Sequence, residues 1–222
     1  MEEPSSPIEL IKRSVDIFSK KDNFWFFIKI YSFMLPFSLF FVLQGFIPGL
    51  TGSQVNYTLQ LGVNVLVNLL YLLISTWVSV SAISSFERIL TGEKLSAVEV
   101  LKKGCKKYWW SYFLLTIVLA LISGIGFILL IVPGILFITW FAFARFILVE
   151  KGLKIKECLI KSREMVRGRF WKIFGRLLIF GIFELVVEII FSAIPYGIGS
   201  IFTGFLGALF ILPSYLLYKE LE

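Results

Sequence analysis

Two glutamates in an otherwise apolar stretch have the clearest potential for chemistry. Glu184 and Glu188 are four residues apart, so a helix places both carboxyls on one face. Amides follow the same spacing earlier in the chain, at Gln60, Asn64 and Asn68. Inside an apolar layer, such groups either hydrogen-bond to each other and join two helices, or line a cavity for a cation, a proton or a polar solute. The spacing predicts that the two sets face each other and leaves both roles open.

Catalytic and metal-binding patterns do not occur in the sequence. The chain has no His, and its only Asp residues, Asp16 and Asp22, lie in a basic segment near the N-terminus. Cys105 and Cys158 lie in charged segments that we expect in the reducing cytoplasm, and their spacing matches no metal motif. We therefore expect no enzymatic activity, no metal, no cofactor and two unreactive thiols.

These residues belong to a strongly apolar chain. Hydrophobic residues make up 58% and charged residues 17%, against about 45–50% and about 25% in soluble domains. Six apolar stretches meet or approach the roughly 20 residues that a spanning helix needs. They are residues 24–45, 59–86, 108–132, 135–149, 170–194 and 198–218. The sequence predicts a single all-α, polytopic membrane domain over residues 1–222, with six transmembrane helices.

The connections between the predicted spans alternate in charge. Residues 46–58, 133–134 and 195–197 contain no Lys or Arg, whereas the first 23 residues and segments 87–107 and 150–169 are basic. The positive-inside rule places both termini and both long basic segments in the cytoplasm. The net charge of +7 is thus a signal of topology in a multi-pass protein of the cell membrane, and we expect no nucleic-acid partner. The acidic, polar start predicts an uncleaved first span.

Charged residues near the predicted inner face form a second candidate set. They are Lys29, Arg145, Glu150, Arg167, Arg169 and Arg176. Long side chains there can extend to the cytoplasmic interface, or they can form a basic pocket for anionic lipid headgroups. Glu184 lies deeper in the predicted span than these six residues. At 1.5 Å per residue it is about 20 Å from Trp171, at the depth of Asn64 on the second span.

A threefold repeat organises the predicted spans. An aromatic-Trp pair opens every inward-to-outward span, at Trp25, Trp109 and Trp171, and a proline follows each Trp by 23 or 24 residues, at Pro48, Pro133 and Pro195. The basic segment before each pair carries apolar residues at helical spacing; the first stripe is Ile8, Ile11, Val15 and Phe18. The pattern predicts three units, residues 7–86, 87–150 and 151–222, each an amphipathic helix followed by a helical hairpin.

Residues 126–175 resemble the membrane domain found with some glycerophosphodiester phosphodiesterases and in related small six-span proteins. The matching positions are Pro133, Gly134, Glu150, Leu159, Ser162, Gly168 and Trp171. Cys158 stands where the family usually has Ala. The resemblance implies a six-span fold without a settled activity. It does not imply phosphodiesterase activity, because that chemistry uses His and this chain has none.

The sequence favours a membrane scaffold or accessory protein that organises lipids or partner proteins through its basic interfacial helices. The alternative is a small permease or channel-like transporter that uses Glu184, Glu188, Asn64 and Asn68. Paired, dry polar groups would favour the scaffold, and a cavity that reaches Glu184 would favour transport. The lipid bilayer and anionic headgroups are the expected partners, and a protein partner or homo-oligomer stays open.

Overall fold

The computed structural model describes residues 4–40, 42–43, 57–93, 96–194 and 198–222. For residues 57–60, 103–107 and 200 it describes the backbone alone. Helices account for nearly all of the described chain, and that part contains no strand. The predicted all-α class is therefore confirmed.

Eleven helices are numbered here along the described residues. They are α1 (Pro7–Ser19), α2 (Lys21–Tyr31, extended by a 3-10 turn at Ser32–Met34), α3 (Tyr57–Leu90), α4 (Ala97–Lys107), α5 (Trp109–Leu129), α6 (Ile131–Trp140), α7 (Ala144–Lys151), α8 (Ile155–Val166), α9 (Phe170–Ser192), α10 (Gly199–Phe205) and α11 (Gly207–Leu221). Residues 35–40 and 42–43, which follow α2, are helical as well.

Among the described residues, five helical stretches are long and apolar enough to cross a membrane. They are Lys21–Phe40, Leu61–Leu90, Trp109–Leu129, Ile131–Lys151 and Ile201–Leu221. Helix α9 has 23 residues, which is sufficient length, but it also carries Lys172, Arg176, Glu184 and Glu188. These charges lower the hydropathy of α9, so it is not among the five stretches that are apolar enough to cross.

The turn between α5 and α6 lies earlier than the sequence predicts. We expected spans at residues 108–132 and 135–149 with the turn at Pro133 and Gly134. Instead α5 ends at Leu129, Leu130 is extended and α6 begins at Ile131. Pro133 lies in the first turn of α6, where a missing N–H leaves no hydrogen bond unmade. The proline therefore marks the start of a helix and not the turn.

Glycines bring α5 and α6 into close contact. A Cβ at Gly126 would lie 2.9 Å from the Cα of Gly134. A Cβ at Gly134 would lie 2.6 Å from the ring of Phe127. A Cβ at Gly124 would meet nothing within 4 Å. The hairpin thus needs glycine at positions 126 and 134, and it leaves position 124 free.

A break separates α6 from α7, and Ser162 of α8 satisfies the backbone groups that the break frees. The Ser162 hydroxyl donates to the carbonyl of Trp140 at 2.8 Å and accepts from the N–H of Phe143 at 3.2 Å. Ser162 is fully buried. In an apolar layer, unpaired backbone groups are costly, so Ser162 stabilises the break. Arg145 follows the break directly, in the first turn of α7.

The amphipathic helices bury a row of residues at four-residue spacing. In α1 the buried residues are Leu10, Ser14 and Phe18, while Ile8 and Val15 are exposed. In α8 the buried residues are Cys158, Ser162 and Val166, at the same four-residue spacing. Of the predicted α1 stripe, Phe18 therefore faces the bundle, and Ile8 and Val15 lie on a surface that the acyl chains would cover.

The two ends of the chain meet. The backbone N–H and the hydroxyl of Ser5 donate to the Glu220 carboxylate at 2.8 and 2.7 Å, and Arg13 forms an ion pair with it at 3.2 Å. Arg176 of α9 donates to the carbonyl of Ser5 at 3.0 Å. Helix α1 accordingly packs against α9 and α11. We call this end of the bundle, where the basic segments also lie, the basic end.

Candidate functional site

Ion pairs close the basic end. The Glu150 carboxylate accepts from the Tyr215 hydroxyl at 2.5 Å and from the Lys219 ammonium at 2.9 Å. Lys219 also lies 3.6 Å from Glu87 and 3.3 Å from Glu222. The Glu150 side chain is only 10% exposed. Because its oxygens already have partners inside the bundle, this carboxylate stabilises the fold.

Two groups near this network outside the apolar helices have shifted pKa values. A hydrogen bond from Lys151 lowers the pKa of the Glu222 carboxyl. Burial, and secondarily the Glu157 charge, raises the pKa of the Cys158 thiol to about 11. The ion pair with Lys151 stabilises the charged form of Glu222, and burial of Cys158 disfavours the reactive thiolate. Neither prepares a group for catalysis.

The six residues predicted near the inner face do not form a single pocket. Glu150 belongs to the network just described, and Arg176 donates to the N-terminal segment. Arg167 is exposed and Arg169 precedes α9. Lys29 lines a groove of about 720 Å³ at the basic end. The headgroup pocket stays a prediction, and this groove is where Lys29 lies beside Lys20 and Lys21.

An open cavity of about 640 Å³, which we call the central cavity, lies between the helices, and Arg145, Glu184 and Glu188 on its wall are exposed. Side chains of α2, α3, α7 and the last three helices surround it. Its polar lining residues are Tyr31, Ser38, Asn68, Tyr71, Ser75, Ser79, Arg145, Glu184, Glu188 and Thr203. Binding sites for small molecules commonly measure about 300–1,000 Å³, so this cavity is large enough to be one.

A side cavity of about 400 Å³ adjoins the central cavity. The two share Arg145, Glu184 and Phe210 as lining residues. The side cavity extends between α5, α6 and α9, with Ser123 and Ser214 as further polar groups. Arg145 and Glu184 therefore stand where the two cavities meet.

The charges in these cavities are not neutralised by each other. Within the described chain, no ion pair joins Arg145 to Glu184 or to Glu188. Arg145 lies beside the hydroxyl of Tyr112, which in turn lies beside Ser79. One cation and two carboxyls thus line the same space with room between them. Charged groups in an apolar layer are costly, and a ligand carrying both signs of charge would offset that cost.

Tyr31 borders the same space, and its hydroxyl is buried. Its side chain is 7% exposed, and in the part of the chain that the structure describes its hydroxyl makes no hydrogen bond. A Cβ at Gly207 would lie 2.5 Å from the Tyr31 ring, so glycine there leaves room for the ring. A buried hydroxyl without a partner costs about 1–3 kcal/mol, and the described contacts do not offset that cost.

The structure brings together part of the predicted polar cluster. Asn68, Glu184 and Glu188 line the central cavity. Asn64 is half-buried on α3 and its carbonyl accepts from the Asn68 amide at 2.8 Å, while the side chain of Gln60 lies outside the described residues. Helix α9 packs mainly against α1, α6, α10 and α11. The cavity therefore lies between the carboxyls and α3, and the proposed Asn64–Glu184 pairing stays a prediction.

Sequence reasoning missed several lining residues. Tyr71, Ser75 and Ser79 continue the amide stripe of α3 at spacings of three and four residues, so the periodicity could have found them. Arg145 was placed with side chains that extend to the interface, and its position at the cavity depends on the break before α7. Tyr31 gave no sequence signal beyond being an aromatic residue in a span.

Metal binding has no support in the described residues, which contain no group of three or more His, Cys, Asp or Glu side chains that could hold an ion.

Comparisons with protein-family models, curated proteins and solved structures found no match for the chain. The function is therefore argued from the site alone.

Proposed function

We propose that the chain is a small permease whose central cavity binds a polar solute within the membrane. The observation that carries the proposal is the charged lining, in which the exposed side chains of Arg145, Glu184 and Glu188 border one open cavity of about 640 Å³ between apolar helices. A scaffold needs no such space, and its stability would be greater if the charges were paired or replaced by apolar residues. Binding of a polar solute explains both the charges and the room between them.

Six crossings complete the proposed topology. Ser5 and Glu220 are hydrogen-bonded, so the chain between them crosses the membrane an even number of times. The five apolar helices give an odd number, and α9 supplies the sixth crossing. Its carboxyls at Glu184 and Glu188 line the cavity, and in the proposed topology they face this space and not the acyl chains. The positive-inside rule then places the basic end in the cytoplasm.

Contacts at the basic end support the threefold repeat. Glu87, Glu150 and Lys219 lie at the ends of α3, α7 and α11, the three helices that return the chain to this side. Lys219 lies within 3.6 Å of Glu87 and 2.9 Å of Glu150. Related positions of three repeat units would meet in this way around a common axis. We propose that the units are the hairpins predicted from the sequence.

A lipid-organising scaffold is the second candidate, and the groove at the basic end favours it. Lys20, Lys21 and Lys29 line this groove together with Trp25, whose side chain is 53% exposed. Lysines beside an exposed Trp suit an anionic lipid headgroup at the interface. The resemblance to the phosphodiesterase membrane domain fits either candidate, since it implies a six-span fold and no enzyme activity.

Flux into proteoliposomes tests the permease. The wild type should carry at least one member of a panel of radiolabelled small zwitterions, organic cations and zwitterionic lysophospholipids. Glu184→Gln removes the carboxylate charge at nearly constant volume and should lower that flux at least tenfold. Glu164→Gln is the matched control, because Glu164 is exposed on α8, and its flux should equal that of the wild type. No flux of any solute by a folded wild type would leave the scaffold as the better proposal.

A further inference from the structure

An apolar groove of about 350 Å³ lies between α6 and α9. Ile138, Leu178, Ile182 and Leu185 line it, and each of these side chains is about half exposed. In a membrane-spanning bundle, such a surface faces the acyl chains of the bilayer. The groove therefore has the chemistry of a site for a hydrocarbon chain.

The groove is continuous with the charged interior. Ile138, Leu177 and Gly181 line both the groove and the side cavity, and the side cavity shares Arg145 and Glu184 with the central cavity. A Cβ at Gly181 would meet no atom within 4 Å. The route from the lipid-facing surface to the charges therefore passes a position that has neither a side chain nor a close neighbour.

We infer that the ligand of the proposed permease is a lipid with a zwitterionic headgroup, which enters sideways between α6 and α9. Its chain would occupy the apolar groove. Arg145 would bind the phosphate, and Glu184 and Glu188 would accept hydrogen bonds from the ammonium group. A water-soluble zwitterion would satisfy the charges but leave the groove without a function. The inference rests on the permease proposal, because both use the same charged cavity.

Three probes separate the head from the chain in binding measurements on the purified, delipidated protein by native mass spectrometry. Lysophosphatidylethanolamine has the chain and the zwitterionic head, glycerophosphoethanolamine has the head alone, and lysophosphatidylglycerol has the chain with an anionic head. The first probe should bind at least tenfold more tightly than either of the others. Arg145→Gln should weaken binding of the first probe at least tenfold, which separates the cavity from nonspecific lipid contacts.

A leucine at position 181 would narrow the route, and its Cβ would meet no atom within 4 Å. Gly181→Leu should weaken binding of lysophosphatidylethanolamine at least tenfold and leave binding of glycerophosphoethanolamine unchanged. Gly175→Leu is the control on the same helix, because a Cβ there also meets nothing within 4 Å and the residue lines none of the three cavities. It should change neither affinity.

Other outcomes would overturn the inference. If glycerophosphoethanolamine binds as tightly as the lipid and Gly181→Leu changes nothing, the ligand is a soluble zwitterion and the permease proposal stands without the lipid. If both lipids bind equally, the charged cavity does not select the head. If no probe binds, the lipid inference is wrong, and the flux panel decides the permease separately.

Discussion

At the scale of single residues, Arg145 and Glu184 show how far sequence alone reaches. The i,i+4 spacing of Glu184 and Glu188 predicts a shared face, and both line the central cavity. The same reasoning failed for Arg145, because distance along a span says nothing about which side of the helix faces the bundle. Its position follows the break before α7, and that break is stabilised by Ser162 from another helix. Long-range contacts of this kind are not encoded in local periodicity.

Cys158 provides a prediction at the same scale. It is fully buried, and its thiol pKa is raised to about 11. At pH 7.5 the thiolate population is then roughly 100-fold lower than for an ordinary thiol. In a Cys105→Ser background, the folded protein should react with a maleimide at least 100-fold more slowly than after unfolding in SDS. The rate should rise about tenfold per pH unit until the pH nears 11.

A control on the same helix shows whether slow labelling of Cys158 is due to its burial or to poor access of the maleimide to α8. Ile160 of α8 is 48% exposed, so Ile160→Cys in a chain lacking both natural cysteines should react at the rate of a free thiol. Fast labelling of Cys158 in the folded protein would mean that α8 does not pack as described.

At the scale of helices, the α5–α6 hairpin brings two backbones close together. The span holds two glycines, Gly124 and Gly126, and the close approach occurs at Gly126 alone. The sequence could not separate the two glycines, because the choice depends on how α6 crosses α5. The span limits were likewise displaced at Pro133, because proline is equally compatible with a turn and with the first turn of a helix.

Alanine substitution separates the two glycines experimentally. Gly126→Ala puts a methyl group 2.9 Å from Gly134 and should destabilise the fold by about 1–3 kcal/mol through overpacking. Gly124→Ala meets no neighbour and should be neutral or stabilising by up to about 1 kcal/mol, since Ala favours helix more than Gly. Thermal unfolding in detergent, followed by Trp fluorescence, compares them directly. Equal transition temperatures for the two variants would contradict the close hairpin.

At the scale of the whole molecule, composition and charge pattern predicted the all-helical, membrane-type architecture, and five of the proposed spans have the length and hydropathy to cross. The sixth predicted span, α9, stays a prediction. Its charges at Glu184 and Glu188 lower its hydropathy, and both side chains line the central cavity. Functional residues in a membrane helix weaken the signal by which the helix is recognised.

Reporter fusions test the crossing of α9. Fusions that end after residues 168 and 222 should place the reporter in the cytoplasm, where a green fluorescent protein is fluorescent and alkaline phosphatase is inactive. A fusion that ends after residue 194 should give the opposite pair of signals. The residue-168 fusion is the internal control, because it ends before α9 begins. If the reporters after residues 168 and 194 behave alike, α9 does not cross and six spans are excluded.

The contact between the first and last helices has a consequence for biosynthesis. Helix α1 is synthesised before α11, yet the two helices pack together and Ser5, beside α1, binds Glu220 of α11. During translation α1 must therefore remain without this partner while the intervening helices are made. Its exposed Ile8 and Val15 offer an apolar surface that could rest on lipid during that interval. Closure of the bundle then follows the synthesis of α11, and a ribosome that stalls before the final turn of α11 would leave Ser5 without its Glu220 contact.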